Sequence, residues 1–143
     1  MKQLTLSFLL LLSFLTLSSQ TATKTTVASG QWNDPNIWFP SGVPNISTDT
    51  IIINHQVGLT DYTSVNGKNL LHISASGCLY SISGLDTFAT NGFDLITIID
   101  GGLNVYHYTA AGVKTIINGV VHASSKMSVM DSLYVNLSGR IIC

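Results

Sequence analysis

Five short segments of the chain share one pattern of apolar and polar positions. Each begins with a run of aliphatic and β-branched residues, and the last four contain a glycine followed by a second apolar run. The segments are TIIINHQVGL from Thr50, LLHISASGCL from Leu70, LITIIDGGLNV from Leu95, KTIINGVVHA from Lys114 and LYVNLSGRII from Leu133. The glycines are Gly77, Gly102, Gly119 and Gly139. Successive segments begin about 20 residues apart, and this spacing predicts a structural repeat.

The repeat predicts stacked β-strands rather than helices. No run places apolar residues at a helical period, whereas Ile, Val and Thr suit a pleated surface. A unit this small cannot bury its own apolar face, so neighbouring units must stack. We therefore expect an all-β fold, a short right-handed parallel β-helix of about five coils with an N-terminal cap. An antiparallel β-sandwich is the alternative, although its Asn-Gly turns would mostly lack alternating strands of equal length on both sides.

Glycine and asparagine mark the predicted corners of the coils. We expect sharp corners to require positive φ angles, which glycine adopts freely and asparagine tolerates. Five asparagines lie at or near these predicted corners: Asn66, Asn91, Asn104, Asn118 and Asn136.

The chain divides into three predicted regions. Residues 1–22 contain one lysine, an apolar run and a small polar exit, which are the features of a secretory signal peptide. The apolar run is shorter than the roughly 20 residues that span a membrane, so we expect export to a secreted or cell-surface location. Residues 23–49 form the predicted cap segment, and residues 50–143 form the predicted solenoid coils.

The segment GQWNDPNIWFPSGVPN, residues 30–45, contains both tryptophans and all three prolines. Asp34 is a favourable N-cap and Pro35 a favourable first helical residue, so one helical turn can bring Trp32 and Trp38 to the same side. The ends of a solenoid expose unpaired strands. We therefore predict that these four residues form a structural cap over the first coil. The alternative is that the two indoles form a surface platform on which sugars stack.

The same segment resembles a known family of extracellular modules. The pattern is W-x-D-P-x-x-W, then a glycine and a proline, then an aspartate followed by an aliphatic run and His-x-Val. It resembles the start of the eight-glycine domain family and the N-terminal β-helix of bacterial surface proteins exported by type IX secretion. The residues that carry the resemblance are Trp32, Asp34, Pro35, Trp38, Gly42, Asp49, Ile51 to Ile53, His55 and Val57.

The resemblance implies a right-handed β-helix whose first motif caps the stack. It is specific over residues 30–60, and only generic glycine-spaced coils follow. The chain departs from these relatives because it shows neither a C-terminal sorting domain nor long catalytic or adhesive regions. It is expected to be either a minimal stand-alone solenoid or part of a longer adhesin.

The sequence carries few groups suited to chemistry. It contains no glutamate, and its seven aspartates are scattered. Asp94 and Asp100 flank one strand at a separation of about 20 Å, which is too far for a glycosidase pair. The histidines lie at different offsets from the corner glycines, and His55 is expected in a turn or at a strand edge. We therefore predict no catalytic residue, no cofactor and no metal site.

The two cysteines are not expected to form a bond within one molecule. Cys78 and Cys143 are separated by three predicted coils, about 14 Å, whereas bridged Cα atoms lie within about 7 Å. Cys78 is predicted to be a small core residue. Cys143 is either a free thiol or a candidate for an intermolecular disulfide.

Ser132, in the sequence DSL, is a candidate O-glycosylation site, and Thr50 in DTI is less favourable because it is expected to begin a buried strand.

Three functional classes remain open at this stage. We favour a secreted, non-catalytic surface protein with a structural or adhesive role and with glycans as candidate partners. The second class is a self-assembling filament subunit that stacks end to end. The third is a polysaccharide lyase or hydrolase, which needs charged groups clustered on one face. The basic residues after position 22 are dispersed: Lys24, Lys68, Lys114, Lys126 and Arg140. They are outnumbered by the seven aspartates, which excludes a basic nucleic-acid-binding face.

Overall fold

The chain forms a stack of parallel β-strands in a computed structural model. The structure describes residues 21–142, with the exception of positions 68, 93, 112 and 113. Of the predicted signal peptide only the last two residues are among those described, and Cys143 lies outside them as well.

Short strands follow one another along the described part of the chain. A 3-10 helix, Pro35–Ile37, lies between the second and third of them. The strands are β1 (Thr23–Thr26), β2 (Gly30–Gln31), β3 (Trp38–Phe39), β4 (Thr50–Ile53), β5 (Gln56–Leu59), β6 (Thr63–Asn66), β7 (Leu70–Ile73), β8 (Cys78–Ser81), β9 (Thr87–Asn91), β10 (Ile96–Ile99), β11 (Gly102–Ala111), β12 (Lys114–Ile117), β13 (Val120–Val129), β14 (Ser132–Val135) and β15 (Arg140–Ile142).

These strands line three faces of the stack. The first sheet has seven strands in the order β14-β12-β10-β7-β4-β1-β3, and the second sheet continues through β15-β13-β11-β8-β5-β2. The third face consists of β6, β9 and the second halves of β11 and β13. Within the described residues every pairing is parallel except that of β3, which folds back antiparallel onto β1.

The predicted short parallel β-helix is therefore confirmed, but it has about four turns rather than five. A complete turn contributes one strand to each face, whereas β1 with β2 and β14 with β15 form partial rungs in the described part. The turns differ in length. The register steps by 18 residues from Ile96 to Lys114 and by 26 from Leu71 to Thr97. All three connections are longer in the earlier turn, and the largest difference is in the connection between β8 and β9.

The core follows the alternation of the strands. Ile53, Ile73, Ile99 and Ile117 pair in one inward column of the first sheet, and each is fully buried. Stacking of identical side chains at the strand spacing gives each residue apolar neighbours above and below. Burial of one such side chain contributes roughly 2 kcal/mol.

The core also contains hydroxyl groups that the sequence pattern did not indicate. Thr97 and Thr115 occupy adjacent inward positions and are fully buried. Among the described residues, neither side-chain oxygen has a hydrogen-bond partner. Tyr108 projects into the same interior, and its hydroxyl lies 3.2 Å from Thr90 Oγ1. Burial raises the pKa of Tyr108, and the hydrogen bond with the Thr90 hydroxyl opposes this rise.

Corner glycines occur where the adjacent rung leaves no room for a side chain. A Cβ atom on Gly77 would lie 2.0 Å from the Ile53 carbonyl oxygen, and one on Gly101 would lie 2.1 Å from that of Gly77. Neither glycine has a positive φ, and no residue other than glycine has one in the part of the chain described here. The prediction that positive φ selects glycine and asparagine at these corners is wrong. Close approach of stacked backbones selects glycine instead.

The structure also corrects two positions in the predicted repeat. The second corner glycine is Gly101 rather than Gly102, because Gly102 pairs with Cys78 inside the second sheet. Asn104 is not at a corner, because it lies within β11 and pairs with Tyr80 and His122.

Candidate functional site

The predicted cap residues lie together at the first rung. The Asp34 carboxylate accepts a hydrogen bond from the Asn36 backbone nitrogen, and Pro35 begins the 3-10 helix. Trp32 and Trp38 are buried with their ring centroids 5.2 Å apart in an edge-to-face arrangement. Trp38 Nε1 donates to the Trp32 carbonyl oxygen at 2.9 Å. Since both indoles are buried, neither is available as a surface platform for sugars.

Two charged side chains hold the same region together. Lys24 points inward, and its ammonium group donates to the carbonyl oxygens of Pro40 at 2.9 Å and Ser41 at 3.1 Å. Asp49 is buried and accepts from the backbone nitrogens of Asn45 at 2.8 Å and Ala22 at 3.2 Å. The sequence pattern does not predict the inward direction of Lys24, because β1 lies within the predicted cap segment and precedes the repeated segments.

The outer face of the first sheet carries one row that is largely apolar. One outward row of paired positions runs the whole length of this sheet, and its central members are half-buried. Its two ends are exposed aromatic side chains, Phe39 at 67% and Tyr134 at 52%. The row, which we call the outer row, is Phe39, Thr25, Ile52, His72, Ile98, Ile116 and Tyr134. At the strand spacing of about 4.8 Å it is about 29 Å long.

A polar ladder borders the outer row at the corner that follows the first sheet. Asp100, Asn118 and Asn136 each come directly after a strand, and their side chains are linked by hydrogen bonds. Asn118 Nδ2 donates to Asp100 Oδ1 at 2.5 Å, and Asn136 Nδ2 donates to Asn118 Oδ1. His72 joins the ladder to the outer row, because its Nε2 lies 2.7 Å from Asp100 Oδ2. We call Asp100, Asn118 and Asn136 the corner ladder.

The ladder lowers the pKa of Asp100. The hydrogen bond from Asn118 is the main cause, followed by the one from His72, and partial burial opposes them. The sequence contains a signal for this ladder, since ITIID, KTIIN and LYVN all end in aspartate or asparagine. An alignment of the segments on Gly77, Gly102, Gly119 and Gly139 does not reveal this signal, because Gly102 lies one position after the glycine that stacks on Gly77.

The remaining acidic and imidazole groups lie apart from the ladder. Asp86 is buried in the connection after β8, where it accepts from Ser81 Oγ at 2.8 Å and from the Ser83 backbone nitrogen at 3.1 Å. Burial raises its pKa, but these hydrogen bonds outweigh that effect and leave the pKa below its ordinary value. His55 occupies the bend between β4 and β5, with Nδ1 3.0 Å from the Thr26 carbonyl oxygen.

His107 and His122 lie on β11 and β13, and His107 Nε2 is 3.1 Å from Ser125 Oγ. Among residues 21–142 without the four exceptions, no group of three His, Cys, Asp or Glu side chains could hold a metal ion.

The predicted modification sites have different outcomes. Cys78 is half-buried and faces outward, because the fully buried Leu79 next to it takes the inward position. The prediction of a core cysteine is therefore wrong; burial nonetheless raises the pKa of its thiol. Ser132 begins β14 and is partly exposed, and Thr50 is also partly exposed rather than buried. The predicted intermolecular disulfide of Cys143 lies outside the described residues.

Comparisons with known proteins do not assign the chain to a family. No protein-family model matches the sequence, and no significant match was found among curated proteins or solved structures. The resemblance to the eight-glycine domain family therefore stays a prediction. In the portion of the chain that the structure describes, no helix has the length and apolarity needed to cross a membrane.

Proposed function

We propose that the protein is an exported, non-catalytic solenoid that acts as a structural or adhesive module and contacts glycans along the outer face of its first sheet. The observation that carries the proposal is the position of the outer row beside the corner ladder. Sugar rings present apolar C–H faces and polar hydroxyl groups. A strip of aliphatic and aromatic side chains next to amide and carboxylate groups matches both.

The spacing of this surface supports the proposal. The outer row and the corner ladder both repeat at the strand spacing of about 4.8 Å. Asn118 and Asn136 lie two residues beyond Ile116 and Tyr134 along the same strands, so the two columns run side by side. A contiguous row of apolar side chains at a surface is typical of interaction sites. Repetition of the same groups favours an extended ligand over a small compact one.

The hydrogen bonds that the aspartate carboxylates accept support a non-catalytic role. Asp34, Asp49, Asp86 and Asp100 all accept hydrogen bonds that hold local structure. A general acid needs a raised pKa near the working pH, whereas the pKa values of Asp86 and Asp100 are lowered.

The basic residues that a lyase would need lie on different surfaces. Lys24 points inward, Lys114 lies over the Tyr134 ring on the first sheet at 5.1 Å from its centroid, and Lys126 is on the third face.

A glycan array that carries neutral and acidic oligosaccharides tests the proposal. We expect the labelled chain to be retained by extended oligosaccharides. Retention should fall at least about tenfold for Ile98→Lys, since a charge would interrupt the apolar strip at a cost of more than about 1.4 kcal/mol. Thr109→Lys is the matched control, because Thr109 occupies an outward position on the third face. It should bind like the parent chain.

Two results would contradict the proposal. If Ile98→Lys and Thr109→Lys lost retention equally, the outer row would not be the glycan-binding surface. The appearance of new reducing ends or unsaturated sugars on incubation with soluble polysaccharides would identify a hydrolase or a lyase instead.

A further inference from the structure

One imidazole lies in the middle of the outer row. His72 is placed between Ile52 on β4 and Ile98 on β10, and its side chain is 28% exposed. Its Nε2 lies 2.7 Å from Asp100 Oδ2. Since the pKa of Asp100 is lowered, its carboxylate is ionised at neutral pH and can only accept a hydrogen bond. Nε2 of His72 therefore carries a proton, and Nδ1 is the nitrogen whose protonation sets the charge of the ring.

A lysine reaches the same row from the neighbouring outward row. Lys114 is an exposed residue at the start of β12, and its ammonium group lies 5.1 Å from the centre of the Tyr134 ring. Tyr134 belongs to the outer row, so the ammonium group stands on that row although the Lys114 backbone does not. Within the described residues the only salt bridge joins His72 to Asp100, so no carboxylate there neutralises the charge of Lys114.

The acidic groups near this face lie along its borders. Asp100 is in the corner ladder on one side. On the other side Asp94 and Asp131 lie four and three residues before Ile98 and Tyr134, which is about 10–13 Å at the rise of an extended strand. Charges at that distance are largely screened, because the screening length is about 8 Å at physiological salt.

No other titratable group faces the His72 ring from the strands beside it. β4 and β10, which flank β7, contain only threonine and isoleucine. His55 follows β4, but its Nδ1 is directed to the Thr26 carbonyl oxygen. Lys68 precedes β7 and lies outside the described residues. The charge on the outer row is therefore set by His72, Asp100 and Lys114.

The net charge of these three groups depends on pH. When His72 is neutral, the Lys114 ammonium group and the Asp100 carboxylate balance each other. When His72 is protonated, one positive charge remains. Imidazole is the side chain that changes charge between pH 5 and 8, whereas lysine and aspartate keep their charges in that range. The outer row therefore becomes positive in mild acid.

We propose that the outer row binds glycans that carry carboxylate groups, and that Lys114 and His72 select them. This inference rests on the proposed function and deepens it by naming the class of glycan. The apolar members of the row contact the faces of the sugar rings, and a chain of sugars that follows the row passes both basic groups. His72 is the specificity-determining residue, because its protonation offsets the charge of Asp100. Asp100 is a positioning residue that orients the ring.

Acidic glycans should bind more tightly at pH 5 than at pH 8. Sugar carboxylates stay ionised over this range, as carboxylates do, so the change in affinity comes from the protein. One exposed charge interaction changes an affinity by about two- to fivefold. Glycans without a charge should not respond to the protonation of His72 in this way.

The experiment compares matched ligands on the whole chain. Immobilised oligosaccharides of galacturonic, mannuronic and glucuronic acid are used, each beside its methyl ester, which keeps the sugar ring and removes the charge. The parent chain should bind at least one of the acids about two- to fivefold more tightly at pH 5 than at pH 8. It should bind the corresponding ester equally at both pH values.

Two variants and one control assign this effect to residues. His72→Gln should abolish the pH dependence, because an amide can donate to Asp100 but does not titrate. Lys114→Gln should reduce the preference for the acid over its ester by about two- to fivefold. His122→Gln is the control, since His122 pairs with Asn104 on the outer side of the second sheet, and it should keep the pH dependence. Unchanged circular dichroism spectra confirm that the variants are folded.

The outcomes separate this inference from the proposed function. If the acids and their esters are retained alike at pH 5, the inference is wrong and glycan contact by the outer row still stands. A pH dependence that survives in His72→Gln, or that His122→Gln abolishes equally, assigns the effect to other groups and also overturns the inference. Failure to retain any glycan at either pH removes the proposed function together with this inference.

Discussion

Individual residues of this fold are selected by what lies one rung above and below them. Gly101 shows this most directly, because an added Cβ would lie 2.1 Å from the Gly77 oxygen and 2.3 Å from the Ser74 oxygen. Both contacts are backbone atoms that are held by the stack, so they cannot move aside as a flexible side chain would. The glycine is required by space and not by its φ angle.

Replacement of Gly101 by alanine should therefore destabilise the protein. We expect Gly101→Ala to lower the free energy of unfolding by about 1–3 kcal/mol, the range for overpacking a well-packed site. Gly67→Ala is the control, because its Cβ would meet no atom closer than 3.6 Å. That change should have an effect below about 0.5 kcal/mol. Urea unfolding of the two variants measures the difference, and equal midpoints and slopes would refute the spatial explanation.

At the scale of the elements, the corner ladder links successive strands of the first sheet. Asp100 follows β10, and Asn118 and Asn136 follow β12 and β14, so each hydrogen bond joins one rung to the next. A carboxylate with a lowered pKa stabilises the fold above its unfolded pKa. That stabilisation is lost as pH falls through the folded pKa.

The ladder should make stability depend on pH in the acidic range. In the parent chain the free energy of unfolding should fall as pH drops below about 3.9, the ordinary aspartate value. Asp100→Asn should reduce this dependence, whereas Asp131→Asn, at an exposed position, should leave it unchanged. Thermal unfolding measured at a series of pH values provides the comparison. An unaltered profile in Asp100→Asn would mean that the ladder does not couple protonation to folding.

Much of this element structure was predictable from the sequence. The aliphatic segments, the alternation within them and the spacing of Gly77, Gly119 and Gly139 were sufficient for the solenoid. The register could not be read from glycine alone, because Gly101 and Gly102 are adjacent and only stacking distinguishes them. The pattern also does not predict that the side chains of Lys24 and Thr97 are buried. Both side chains are polar, and their burial depends on tertiary contacts.

The whole molecule is a stack whose two ends differ. The first rung is covered by an antiparallel strand and two buried indoles, whereas the last described rung exposes residues that are buried in every rung below. The proposed glycan contact along the outer row depends on parallel rungs that repeat in register.

Distances along the outer row test that central claim most directly. Spin labels on Tyr134 and either Ile52 or Thr25, in labelled protein diluted with unlabelled chain, should be separated by four and five rungs. The stack predicts backbone separations of about 19 Å and about 24 Å, increasing by one strand spacing although the labelled positions differ by 27 residues in sequence. Equal separations, or a shorter separation for Thr25 than for Ile52, would contradict a parallel solenoid.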